Sequence, residues 1–140
     1  MTTPEGNATL DFLDANPVLR YLLGDHPDHT PRSQALSESE RPFRLSIITL
    51  AEVGYVLTRV ARVPRADAVD AMIELLNREN IEVHEVRTEI AIQALLLCRP
   101  SGRVKLGDAM LWAAASAAAP SRLWTFDERF PRDGIELRQP

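Results

Sequence analysis

Residues 9–24 read TLDFLDANPVLRYLLG: an apolar, strand-like run, an acidic break, then a helical pattern closed by glycine. Thr9–Leu13 is expected to be a strand, ended by Asp14-Ala15-Asn16-Pro17. Asn16 suits a helix N-cap and Pro17 the first helical position, where a missing N–H costs nothing. The helix then runs from Val18 to about Leu23 and stops at Gly24. A strand that passes so quickly into a helix is a unit of α/β architecture, and it leaves Asp14 at the strand's carboxyl end.

The same alternation continues along the chain. Asp25–Arg32, with two prolines and two histidines, reads as a loop, and Ser33–Glu40 as a polar helix. Phe43–Ile48 is a second expected strand, after which Thr49 opens a helix with Leu50, Val53, Val56, Leu57 and Val60 at helical spacing. Pro64 breaks the chain before a helix from about Ala66 to Asn77. Ile81–Val86 is a third strand, and Thr88–Cys98 a helix ended by Pro100-Ser101-Gly102. Leu106–Ala119 is an alanine-rich helix, apolar on nearly every side, expected to be buried and to pack closely against a sheet. Arg122–Phe126 and Ile135–Leu137 complete the strands. With no internal repeat or long linker, residues 1–140 are expected to form a single domain.

Composition narrows the class. The chain is 140 residues long, enough for one proper core, and its 45% hydrophobic and 26% charged content suits a globular protein. Its net charge of −4 argues against a broad cationic surface for nucleic acid, although bound divalent cations would reverse the local field at a site. Cys98 is the only cysteine, which excludes an internal disulfide and a thiolate metal cage. It lies in an apolar run and reads as a buried, inert thiol. His26, His29 and His84 have no zinc-type spacing. The opening MTTPEGNATL has no basic region and no apolar stretch of the signal-peptide kind, and no apolar run reaches the ~20 residues a membrane span needs. A cytoplasmic, reducing compartment is the expectation.

Four acidic residues fall at equivalent places. Asp14 and Asp127 directly follow the first and fourth expected strands. Glu52 and Asp108 lie in the first turns of the helices opened by Thr49 and Leu106. In a mostly parallel sheet, strand carboxyl ends and the N-termini of the following helices share one edge, where α/β folds place ligands. Carboxylates gathered there raise one another's pKa, and a hard divalent cation relieves the repulsion. Each residue also has a local explanation. Thr49-Leu50-Ala51-Glu52 fits a capping box, and Asp108 complements a helix dipole. Asp127 and Asp14 suit turns. What those explanations leave open is why all four fall on one edge, beside apolar residues such as Phe12-Leu13 and Leu123-Trp124.

These segments also resemble a known family. Residues 12–25, FLDANPVLRYLLGD, resemble the opening of PIN-domain proteins, most closely the toxin nucleases of VapBC toxin–antitoxin pairs. Ile48-Thr49-Leu50-Ala51-Glu52-Val53, Leu106-Gly107-Asp108-Ala109-Met110-Leu111 and Trp124-Thr125-Phe126-Asp127-Glu128-Arg129-Phe130 resemble the family's later acidic motifs, in order. The resemblance implies a three-layer α/β fold with a mainly parallel central sheet flanked by helices. It implies a site in which Asp14, Glu52, Asp108 and Asp127 are catalytic and bind Mg²⁺ or Mn²⁺. Asn16 and Thr125 match positions that support that site by hydrogen bonding. The implied activity is endonucleolytic cleavage of RNA, with a cognate antitoxin protein as partner. Single-stranded or loop RNA is the expected substrate, because it fits such a cleft more easily than a duplex. The sequence departs from the family pattern at Ala15, where Thr or Ser is frequent, at Pro17 and at Gly107.

Arg20, Arg59, Arg62, Arg103 and Lys105 are candidate phosphate contacts, with Lys105 and Arg20 foremost for RNA binding. Apolar residues on the helices through Val53–Val60 and Ala66–Asn77 suggest a homodimer. An RNA-processing PIN nuclease without an antitoxin, or a non-catalytic RNA-binding module, fits the same motifs. A receiver-type signalling domain would need an Asp after the third strand, where Arg87-Thr88 stand instead.

Overall fold

A computed structural model describes residues 9–140. In chain order the elements are α1 (Ala15–Leu23), α2 (His29–Ser37), β1 (Phe43–Leu45), α3 (Ile47–Tyr55), α4 (Arg65–Leu76), β2 (Ile81–Val83), α5 (Thr88–Cys98), α6 (Leu106–Ala117), β3 (Arg122–Trp124) and β4 (Glu136–Arg138). Among the described residues the strands pair in parallel, as expected of an α/β chain. β1 lies beside β2 with Phe43 opposite Ile81 and Leu45 opposite Val83. β3 lies beside β4 with Leu123 opposite Leu137.

The strands form two separate two-stranded sheets rather than one continuous sheet. The expected first strand shrinks to a parallel bridge between Phe12 and Arg44, flanked by Leu13 N–H on Arg44 C=O at 3.1 Å and Arg44 N–H on Asp11 C=O at 2.8 Å. Asp11 disfavours a longer pairing, since Asp is depleted in strands. β1 and β2 are short because each is apolar at only two inward positions, Phe43 and Leu45 or Ile81 and Val83, before polar residues intervene.

Helix starts differ from the expectations in instructive ways. Asp14, not Asn16, caps α1: its backbone is extended and its Oδ1 accepts from Ala15 N–H at 2.8 Å. Gly24 closes that helix in the left-handed conformation at φ 63°, its N–H reaching Arg20 C=O. α2 begins at His29, inside the segment expected to be a loop, because Pro31 falls in the first turn, where proline is tolerated. α3 begins at Ile47, two residues before Thr49, because Ser46 caps it through Ile48 N–H and Glu85 accepts from Ile47 N–H at 3.1 Å. The helix continues as a wider π-turn over Val56–Val60. There the Thr58 hydroxyl donates to Gly54 C=O at 2.8 Å, competing with the backbone ladder.

The core is built from helix on helix as much as helix on sheet. Leu45, Leu50, Val53, Met72 and Leu95 are fully buried. α6 packs mainly against α5 and α3, with Ala91 and Ala94 on one side and Ala109 and Ala113 on the other, all fully buried. The alanines therefore bring helices together rather than a helix onto a sheet. α6 buries one face, Leu106, Ala109, Met110, Trp112 and Ala113, and leaves Leu111 half exposed. Trp112 Nε1 donates to Asp133 C=O at 3.0 Å and Ser121 Oγ to Ala115 C=O at 2.6 Å, tying α6 to the β3–β4 unit. Among the described residues no helix is long and apolar enough to cross a membrane.

Candidate functional site

The four acidic residues stand on separate elements of the chain. α3 touches both α1 and α6. Asp14 sits at the N-cap of α1 and Asp108 at the third residue of α6. Glu52 is the sixth residue of α3, two residues deeper than expected, because the helix starts at Ile47 rather than Thr49. Asp127 follows β3 in a turn, where its backbone N–H donates to Thr125 Oγ1 at 3.0 Å and its Oδ1 accepts from Arg129 N–H at 2.9 Å.

Local roles divide these residues into two pairs. Asp14 caps a helix and Asp127 closes a turn, so each has structural work. Glu52 and Asp108 have none of that kind. The capping box expected of Thr49 and Glu52 is absent, since Ser46 and Glu85 serve the start of α3 instead. Among the described residues neither Glu52 nor Asp108 makes a side-chain hydrogen bond or ion pair. Glu52 is exposed and Asp108 half-buried.

The spacing between Glu52 and Asp108 is governed by a close approach of their helices. A Cβ built on Gly54 would stand 2.6 Å from Leu106 Cγ, closer than real Cβ atoms come to a neighbour. Glycine at position 54 thus lets the start of α6 lie directly on α3. Gly107, by contrast, has open space where a side chain would be.

The donor chemistry suits a hard cation, since all four candidates offer carboxylate oxygen. The side-chain placement is less convergent. Among the described residues no three histidine, cysteine, aspartate or glutamate side chains stand together closely enough to hold a metal ion. The Asp14, Glu52 and Asp127 side chains are exposed to solvent.

The matching of the chain to known families decides its class. The model of the PIN domain matches residues 12–134, a span that takes in all four carboxylates. The chain belongs to the PIN-domain family. PIN domains form a nuclease superfamily whose members are generally metal-dependent. No curated protein and no solved structure matches the chain significantly.

Two residues escaped the sequence reading. Glu85 reads as one more alternating strand residue, yet it reaches the start of α3, accepting from Ser46 Oγ and Ile47 N–H. Burial raises its pKa, but these hydrogen bonds, its own backbone N–H and the nearby His84 outweigh that and hold the carboxyl below its ordinary value. Arg32 reads as the end of a loop, but it lies on α2 facing α1. The signal was Pro31, which belongs as readily to a first helical turn as to a loop.

Proposed function

We propose that this PIN domain is a Mg²⁺- or Mn²⁺-dependent endoribonuclease that cuts single-stranded or loop RNA. The family match across residues 12–134 carries this reading, because it includes Asp14, Glu52, Asp108 and Asp127 in order. These four carboxylates hold the cation, and Asn16 and Thr125 support them. Of those two, Thr125 already holds the Asp127 backbone N–H. When bound, the cation lowers the pKa of a water and offsets charge on the scissile phosphate.

The chain's own contribution is placement. The Ala15 and Arg129 N–H groups orient the Asp14 and Asp127 carboxylates. The Gly54–Leu106 contact brings the helices of Glu52 and Asp108 together. Lys105, exposed at the N-cap of α6 three residues before Asp108, is placed to meet a backbone phosphate. The expected products carry a 5′-phosphate and a 3′-hydroxyl.

The finer assignment is to the toxin of a type II toxin–antitoxin pair, and it rests on the resemblance of residues 12–25. In that role the partners are a cognate antitoxin and a second copy of this chain. Support for a homodimer comes from Ile48, Tyr55 and Val60, which are exposed on α3 and its π-turn. The apolar residues Val69, Met72, Leu75 and Leu76 of α4, by contrast, are already buried within the chain.

The test is cleavage of a mixed single-stranded RNA pool with Mg²⁺, with Mn²⁺ and with EDTA, beside Asp14→Asn and Asp108→Asn. Cleavage that needs metal and disappears in both variants is the expected result. Cleavage that persists in EDTA or in both variants overturns the assignment. Growth arrest on expression, absent for Asp108→Asn, separates a toxin from a processing nuclease.

A further inference from the structure

The helical hairpin α1–α2 encloses a groove with a volume of about 440 Å³ beside the cap residue Asp14. Asn16 and Arg20, four residues apart, share one face of α1. His29, Arg32 and Leu36 share one face of α2, and Pro17, three residues after Asp14, also lines the groove. The groove thus combines two guanidinium groups and an imidazole with apolar walls.

Arg20 is held in an unusual way. Among the described residues its guanidinium makes one hydrogen bond, Nη1 to Asp25 Oδ1 at 2.7 Å, and its side chain is only 22% exposed. Its Nε is buried and has no hydrogen-bond partner among the described residues. Native proteins rarely leave such a donor unsatisfied, and one that persists calls for an explanation. Asp25 occupies one end of the fork, and the Nε–Nη2 edge that remains is one an oxyanion can grip with two parallel hydrogen bonds. Arg32, on the opposite wall, is exposed and forms no ion pair among the described residues. Asp25 is engaged by Arg20.

We infer that this groove binds one nucleotide of a single-stranded RNA next to the cleaved bond. Its phosphate lies between Arg20 and Arg32, and its base rests on Pro17, Leu36 and the His29 ring. A small turn of the Arg20 side chain brings Nε to the phosphate. The apolar walls favour a nucleotide over a bare anion, because an unstacked base needs such a surface and a duplex cannot offer one. The position rests on the nuclease reading, since Asp14 then places the groove one nucleotide or so from the metal. The affinity itself does not depend on metal.

The experiment is therefore done in EDTA, where no metal-dependent cleavage occurs. Fluorescence anisotropy follows a labelled single-stranded RNA 12-mer of mixed sequence binding to the full chain over a salt series. Arg32→Ala and Arg20→Ala are each expected to weaken binding about tenfold and to lower the salt slope by about one. Arg99→Ala, in an exposed pair with Asp70, is the control expected to bind as the unaltered chain does. Arg32 is exposed on α2, so its variant keeps the test meaningful even if Arg20→Ala unfolds. An unaltered chain that does not bind the 12-mer, or an Arg32→Ala chain that binds it equally well, overturns the inference. The latter result would leave the groove to a protein segment instead. Groove-dependent binding without cleavage in Mg²⁺ or Mn²⁺ would sink the nuclease reading and leave the nucleotide site standing.

Discussion

Gly54 and Leu106 lie so close that any side chain at position 54 would start 2.6 Å from Leu106 Cγ. This contact joins α3 to α6, the two helices whose acidic residues, Glu52 and Asp108, make no side-chain hydrogen bond or ion pair among the described residues. Gly54→Ala gains helix propensity, about 0.5–1 kcal/mol, but overpacks a buried contact at a cost of about 1–3 kcal/mol. The expected outcome is a net loss of stability in urea unfolding, with metal affinity weakened as well. Gly107→Ala, facing open space in the same region, should be neutral or slightly stabilising. Equal effects at both positions would mean that the close approach does not matter.

Cys98 gives a readout of the core at the other end of α5. It is fully buried among Ala94, Ala91 and their neighbours. Burial pushes its thiol up to about 11, while Arg65 nearby pulls the other way and Asp108 adds to the rise. Since the thiolate is the reactive form, iodoacetamide at pH 8 should leave the folded chain unmodified. Alkylation in rising urea should follow the unfolding curve measured by circular dichroism. Rapid modification of the folded chain would show that α5 opens locally.

Glu85 ties acid stability to the start of α3. Its carboxyl is held below its ordinary value of 4.5 by the Ser46 and Ile47 hydrogen bonds, which outweigh the opposing effect of burial. A depressed folded value means that the stabilisation is fully present above 4.5 and is lost as the pH falls through the lower folded value. Glu85→Gln should therefore cost about 1 kcal/mol or less near pH 7, as for other helix-start contacts, and flatten the decline of stability in acid. Chemical unfolding at pH 7, 5 and 3.5 checks this. A variant whose stability falls with acid as steeply as that of the unaltered chain would remove Glu85 from the account.

Much of this fold is legible residue by residue, and the failures have common causes. α5 was readable because Thr88, the apolar spacing and Pro100 mark both ends, and Gly24 marks the end of α1 for the reason given by its φ. The strands came out too long, because apolar alternation continues past the residues that actually pair. Helix starts were misplaced wherever two polar residues compete for the cap: Asp14 over Asn16, and Ser46 over Thr49. In the second case the decisive partner, Glu85, lies 39 residues from Ser46, beyond the reach of any local pattern. The acidic residues themselves were visible as a set, since each follows a strand-like run or opens a helix. Among the described residues their side chains do not gather closely enough to hold a metal ion, and spacing alone does not fix that distance.

The four carboxylates should separate stability from metal binding. Asp14 and Asp127 hold backbone N–H groups, so Asp14→Ala and Asp127→Ala should each cost about 1 kcal/mol without metal. Glu52→Gln and Asp108→Asn remove no such contact and should stay within about 0.5 kcal/mol of the unaltered chain. A cation that binds only the folded chain adds about 2.7 kcal/mol at a hundredfold excess over its Kd. Mg²⁺ or Mn²⁺ should therefore raise the Tm of the unaltered chain, and all four variants should lose most of that rise. The informative pair is Glu52→Gln and Asp108→Asn: as stable as the parent in EDTA, yet unresponsive to metal. If either keeps the full metal-induced shift, that residue is not a ligand. If the unaltered chain itself shows no shift at millimolar metal, the four carboxylates do not form a cation site in the free protein.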